Sequence, residues 1–272
     1  MSKQKKLRLL VYIPALLITV ITLYPMLWTL SASFSTKTQI GRASLIPVGF
    51  TLKHYKTLFL EESFFLFIGN TLVYAVLTTI IQLFLNSMAA YSLARLRYPG
   101  RNLLLMVFLS TMMVPFTVIL VPLYLLISKM GVTNSYWALI LPSMATGYGI
   151  FMLRQFYLGI PGELEDAASI DGLGYFGRYM NIIIPLSKPI MLVLGLFTFI
   201  GCWNNMLWPL IVNTSPRWWV ITVGLKSFQN NRSTDWNAVL TGAAVSMIPI
   251  AILFVFFQKH LVEGIKMSGM KL

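Results

Sequence analysis

The chain has 272 residues, of which 57% are hydrophobic and only 11% charged, with a mean hydropathy of +0.75. So few charges cannot cover a water-soluble protein of this length, and the composition excludes a soluble globular fold in favour of an integral membrane protein. The formal net charge of +13 is accounted for by membrane topology and lipid contact, without nucleic acid as a partner.

Six charge-free runs predict six spanning helices, each run exceeding the roughly 20 residues that cross a hydrocarbon core as helix. Residues 1–8, with Lys3, Lys5, Lys6 and Arg8, form a basic cytoplasmic N-terminus. The first span is 9–33; its uncharged stretch is too long for a signal h-region, and no A-x-A cleavage site follows. An outer loop leads to the second span at 66–93, and Arg95, Arg97 and Arg101 mark the next inner loop. Spans three and four, at 103–127 and 135–155, enclose a short outer loop with Lys129. A polar insertion at 161–185 follows, then the fifth span at 186–208, an outer loop rich in Trp, Asn and Ser, the sixth span at 237–258, and a tail at 262–272. The inner segments hold 13 of the 21 Lys and Arg, which orients both termini inside. Lipid obliges the backbone to satisfy itself, and the runs are too long for barrel strands, so the fold class is an all-α integral membrane protein. Pro25, Pro115, Pro122, Pro142, Pro209 and Pro249 lie inside or at the ends of spans and predict kinks.

The insertion carries the most information. Pro161 suits a first helical position, and Glu163, Glu165 and Asp166 fall where carboxylates favour the positive end of the helix dipole. Leu164, Ala167, Ala168 and Asp171 share a shallow face at i, i+3, i+4, i+7 spacing. Gly172 then stops the helix, and Tyr175, Phe176 and Tyr179 open a second short helix that runs into Asn181–Pro185. A small-residue face with acidic flanks suits a groove on another protein. Gly172, Gly174 and Gly177 match G-x-G-x-x-G, but an acidic helix precedes them and a span follows, so a dinucleotide site is rejected.

In this segment the chain resembles the permease subunits of ATP-binding-cassette importers. Their cytoplasmic loop reads EAA, three residues, Gly, nine residues, Ile-x-Leu-Pro. Asp166-Ala167-Ala168, Gly172 and Ile182-Ile183-Ile184-Pro185 stand at those intervals, with Asp for Glu and Ile for Leu. Asp171-Gly172, Pro185–Pro189 and Trp203–Pro209 are similar to the carbohydrate-uptake branch, of the maltose and multiple-sugar type. The resemblance implies a type I importer permease fold over residues 9–261, with the insertion as a cytoplasmic coupling helix. Glu165, Asp166, Ala167, Ala168, Asp171, Gly172, Ile182 and Pro185 are then the residues that couple to an ATPase. It also implies a second permease subunit forming a heterodimer, two ATPase subunits that carry ATP and Mg, an extracytoplasmic solute-binding protein, and a bacterial or archaeal cytoplasmic (inner) membrane. The tail resembles the family ending that reaches the ATPases, without its Gly-rich finish.

What is absent points the same way. No G-x-x-x-x-G-K-[ST] is present, so the chain has no P-loop and no ATPase activity is expected of it. The six runs hold no Asp, Glu, Lys or Arg, which a proton- or ion-coupled carrier usually needs. Cys202, the lone cysteine, has no histidine close enough in the topology to form a catalytic pair or a metal site. A passive channel or secondary carrier for a neutral solute is the other reading. For a sugar path, Trp203, Asn204, Asn205 and Trp208 offer aromatic faces and amide hydrogen bonds in the fifth span; belting the interface and bonding neighbouring helices is their other role.

Overall fold

In the computed structural model the described residues are 3–36, 44–60, 63–229 and 234–269, with side chains described from 12 and up to 258. The contact expected of the tail, and the basic residues of the N-terminus, therefore lie outside the described residues or their described side chains. The elements in order are α1 (Lys3–Ser33), α2 (Lys53–Leu60), α3 (Phe64–Arg95), α4 (Arg101–Thr111), α5 (Phe116–Lys129), α6 (Tyr136–Ile140) and α7 (Gly147–Leu158). They continue with α8 (Glu163–Ile170), α9 (Tyr175–Arg178), a π-helical turn (Tyr179–Ile183), α10 (Ile184–Leu186), α11 (Lys188–Asn204), α12 (Leu207–Val212), α13 (Ile221–Ser227) and α14 (Trp236–Gly269).

Three helices are long and apolar enough to cross a bilayer unbroken: Tyr12–Ser33, Phe64–Arg95 and Trp236–Gln258. Three further candidates are bent pairs, Arg101–Thr111 with Phe116–Lys129 (100°), Tyr136–Ser143 with Gly147–Leu158 (48°), and Tyr175–Leu186 with Lys188–Asn204 (77°). Counted as one span each, they bring the total to six. The sharpest break has a local cause. Pro115 stands just before α5 in an extended conformation, φ −60° and ψ 135°, and a proline disfavours helix in the residue before it. The 11 and 14 residues on either side rise only about 16 and 21 Å, so neither crosses a core of about 30 Å alone.

The chain forms two compact units, residues 1–66 with 223–250, and 67–222 with 251–272. In the first, α1 is bare from Tyr12 to Leu27 and becomes buried only at its end, at Ala32 and Ser33. There the Ser33 and Tyr55 hydroxyls share a hydrogen bond of 2.7 Å, and Phe34 stacks on Phe50 and Tyr55. The second unit is organised by α3. Membrane packing gains little from hydrophobicity, so polar side chains and small residues set the contacts. Asn70 donates to the carbonyls of Arg217 and Trp219, both at 2.9 Å, and accepts from the Tyr136 hydroxyl. Gln82 donates to the carbonyl of Ser143 (2.7 Å) and accepts from Thr198 of α11 (2.7 Å). Asn86 accepts from the Thr146 backbone N–H at 3.0 Å. Gln82 and Asn86 thus satisfy backbone groups freed where α6 gives way to α7, which is what makes a break inside apolar surroundings tolerable.

Candidate functional site

Helix α8 has no side-chain cap at its start, so its N-terminal dipole is met by Glu163, Glu165 and Asp166 in the first turn. It ends at Gly172 with φ +85°, the left-handed conformation that glycine adopts without strain. The N–H of Leu173 then reaches the carbonyl of Ala168 (2.9 Å) and that of Gly172 reaches Ser169 (3.1 Å), a Schellman termination. The turn is followed by α9, where the Arg178 guanidinium lies 4.5 Å over the Tyr175 ring.

The two sides of α8 differ sharply. Glu163, Leu164, Asp166, Ala167 and Ile170 are exposed, whereas Glu165 (6% exposed) and Ala168, three residues apart, are buried. A buried carboxylate needs a partner. Glu165 has it in Arg95, the last residue of α3, whose Nε lies 2.9 Å from Oε1 as an ion pair off hydrogen-bond alignment. Tyr91, one turn earlier on α3, donates its hydroxyl to Oε2 at 3.0 Å. The Arg95 fork also donates through Nη2 to the carbonyls of Tyr157 (2.6 Å) and Ile160, at and just past the end of α7. Beyond the turn, the Tyr179 ring packs on Tyr91 with centroids 5.3 Å apart, and its hydroxyl is hydrogen-bonded to Ser87. Ala90, Ala94, Leu153, Ile183 and Leu194 close the apolar surround.

Of the residues assigned to coupling, Asp166, Ala167, Asp171, Gly172 and Pro185 are exposed and Ile182 is half-buried. Glu165 and Ala168 are placed otherwise than expected: both turn into the subunit, because the buried guanidinium of Arg95 holds the first and α8 packs along that side. The shallow face expected of Leu164, Ala167, Ala168 and Asp171 accordingly loses Ala168 and keeps the other three. Ser87, Tyr91, Arg95, Tyr157 and Tyr179 were not anticipated. Their signal was the i, i+4, i+8 spacing of Ser87, Tyr91 and Arg95 at the end of a charge-free run.

The residues expected along a solute path divide in the same way. Trp203 and Trp208 are 1% and 2% exposed, packed inside the subunit where they line nothing. Trp208 donates its indole N–H to the carbonyl of Ala138 (2.9 Å), and Trp203 stacks on Phe199. Asn205 is half-buried, with its carbonyl accepting from Thr222 (2.6 Å), and Asn204 alone of the four is exposed. Among the described residues no three His, Cys, Asp or Glu side chains come together as a metal ion would require.

The family described as binding-protein-dependent transport system inner membrane component matches residues 86–267, well over half of the chain and all of the coupling insertion. The chain belongs to this family. Relatives agree along nearly the whole length. The arabinooligosaccharides transport system permease protein AraQ of Halalkalibacterium halodurans is 32% identical, over 93% of each chain. The maltodextrin transport system permease protein MdxG of Bacillus subtilis is 32% identical, over 96% of this chain and 95% of its own. The sulfoquinovosyl glycerol transport system permease protein SmoH of Agrobacterium fabrum is 31% identical, over 96% and 93%. The fold is similar to a chain in the crystal structure of a bacterial ABC transporter involved in the import of the acidic polysaccharide alginate, with a TM-score of 0.83, 22% identity, and 95% and 98% of the two chains covered. As a member of the family, the chain is a multi-pass inner-membrane permease subunit of an ATP-binding-cassette importer. ATP hydrolysis belongs to a separate subunit of such a system, and the passive channel or secondary carrier is set aside.

Proposed function

We propose that this permease forms half of the translocation pathway for a sugar or oligosaccharide, and that α8 is the helix by which it docks on the ATPase. The observation that carries the docking reading is the division of α8: one side is fastened inward through Glu165, and the other presents Asp166, Ala167 and Asp171 to the surroundings. A short anionic helix with a flat, alanine-bearing outer side suits a groove lined by cations. The sugar assignment is supported by the names of the relatives, which take up arabinooligosaccharides and maltodextrin. The partners would be a second permease subunit, two ATPases and an extracytoplasmic solute-binding protein. Both termini would lie inside, as the excess of Lys and Arg in the inner segments favours.

Two variants of the assembled transporter test the docking reading. Ala167→Trp puts bulk on the exposed side and is expected to abolish ATP-driven uptake while leaving the chain folded. Gly172→Val meets no atom within 4 Å of the new Cβ, so its cost is the left-handed backbone alone, about 1–2 kcal/mol at that residue. It is expected to shift the helix end and lower uptake per ATP. Unimpaired uptake by both variants at normal expression would count against the assignment.

The path is tested at Asn204. In a Cys202→Ala background, Asn204→Cys is expected to react with a water-borne thiol reagent in at least one transport state. A thiol unlabelled in every state, with and without nucleotide and solute, removes Asn204 from the path.

A further inference from the structure

The docking reading leaves open how displacement of a surface helix reaches the membrane helices, and the geometry points to the stripe Ser87, Tyr91 and Arg95 of α3. We propose that these are positioning residues that make α8, the Gly172 turn, the end of α7 and α3 a single lever. The inference rests on α8 being the docking helix. The three residues recur at i, i+4 and i+8, so they lie along one side of α3. They hold both arms of the coupling insertion. Arg95 and Tyr91 bind Glu165 on α8, before the turn, and Tyr91 and Ser87 hold Tyr179 in the π-helical turn after it. Gly172 therefore sits between two anchors on the same helix side and cannot shift relative to α3 without breaking one of them.

The chemistry of the anchor fits this task better than it fits stability. A buried ion pair offers no advantage over well-packed apolar residues in stability, but its directional bonds select one register where apolar contacts slide. Arg95 is suited to that role because one planar fork meets acceptors on two other segments: the carboxylate of α8, and the carbonyls of Tyr157 and Ile160 at the end of α7. The same helix then carries Gln82 and Asn86, whose bonds to Ser143 and Thr146 lie at the bend between α6 and α7. A push on α8 is thus delivered through α3 to a bend in another span.

The test uses the complete transporter, with its second permease and ATPases, in liposomes, reading ATP hydrolysed and solute taken up together. Glu165→Gln removes the charge and keeps the shape and the exposed side of α8. Hydrolysis is expected to persist while uptake per ATP falls about tenfold, within the range of ordinary coupling free energies. A second variant, Tyr91→Cys with Glu165→Cys in a Cys202→Ala background, keeps the bonds of Arg95 to α7 and is expected to be uncoupled in the same way. Joining the two thiols with a short bifunctional reagent should then return uptake per ATP to within about twofold of the parent, because the covalent link replaces the lost anchor. Unchanged uptake per ATP in Glu165→Gln overturns the proposal, and so does a bridged pair that stays uncoupled. If Glu165→Gln fails to assemble, the bridged pair alone decides. Failure of the docking reading itself shows differently, as full uptake by Ala167→Trp.

Discussion

An Arg95→Met variant, purified in detergent, is expected to lose about 3–5 kcal/mol of stability, the usual consequence of leaving one member of a buried ion pair without the other. The pair is well enough enclosed for that figure to apply, with side chains 16% and 9% exposed for Arg95 and Glu165. Methionine fills much of the volume of the arginine stem, so the loss comes from three acceptors rather than from a cavity: Glu165, and the carbonyls of Tyr157 and Ile160. The double variant Arg95→Met with Glu165→Leu removes the stranded carboxylate and should recover more than half of the loss, leaving the two carbonyls as the remainder. Thermal melting of the parent, both single variants and the double variant gives the coupling energy directly. Single and double variants that melt alike would show the ion pair to be energetically idle.

Gly147→Val should be comparably damaging for a steric reason. A Cβ at Gly147 would stand 2.3 Å from the carbonyl oxygen of Phe108 and 3.0 Å from Met112 and Thr111. The closest atom is backbone in the last turn of α4, so it cannot swing aside as a side chain would. The contact between α4 and α7 must open, at or above the upper end of the roughly 1–3 kcal/mol that overpacking usually costs. Gly201→Ala is the matched control: it lies in α11 with nothing within 4 Å of a new Cβ, and its stability should change by less than about 0.5 kcal/mol. Equal yields of monodisperse protein from Gly147→Val and Gly201→Ala would contradict this account.

The fold class was legible because the bilayer constrains it so strongly. Lipid leaves few options, and the absence of charge over 64–94 already implies a helix close to the observed α3. The breaks were less legible. Pro115 and Pro142 could be noted as kinks, but a proline does not say whether its helix bends slightly or turns by 100°, since that depends on which neighbours take up the freed backbone groups. Here those neighbours include Gln82 and Asn86, far away in sequence. The same holds at the coupling insertion. Gly172 could be read as a helix terminator because its need is local, a backbone at φ +85°. The direction taken by Glu165 could not, because its cation lies 70 residues earlier at the end of another helix. Small residues on α8 pointed to one exposed side, whereas the charge pair divided the helix along a different line. Trp203 and Trp208 misled for a related reason: aromatic residues suit a sugar and a packed interior equally well, and only burial separates the two.

The wide turn at Tyr179–Ile183 has an evolutionary corollary. It holds a surplus residue where a regular helix would be shorter, and each residue of a helix accounts for about 100° of rotation. Losing one residue there would spin the rest of the fifth span through that angle, carrying Asn204 away from its present bearing and burying a different flank. Gene-level deletions in this stretch should therefore be tolerated far less often than substitutions, and sequences that drift freely in composition should still keep its length.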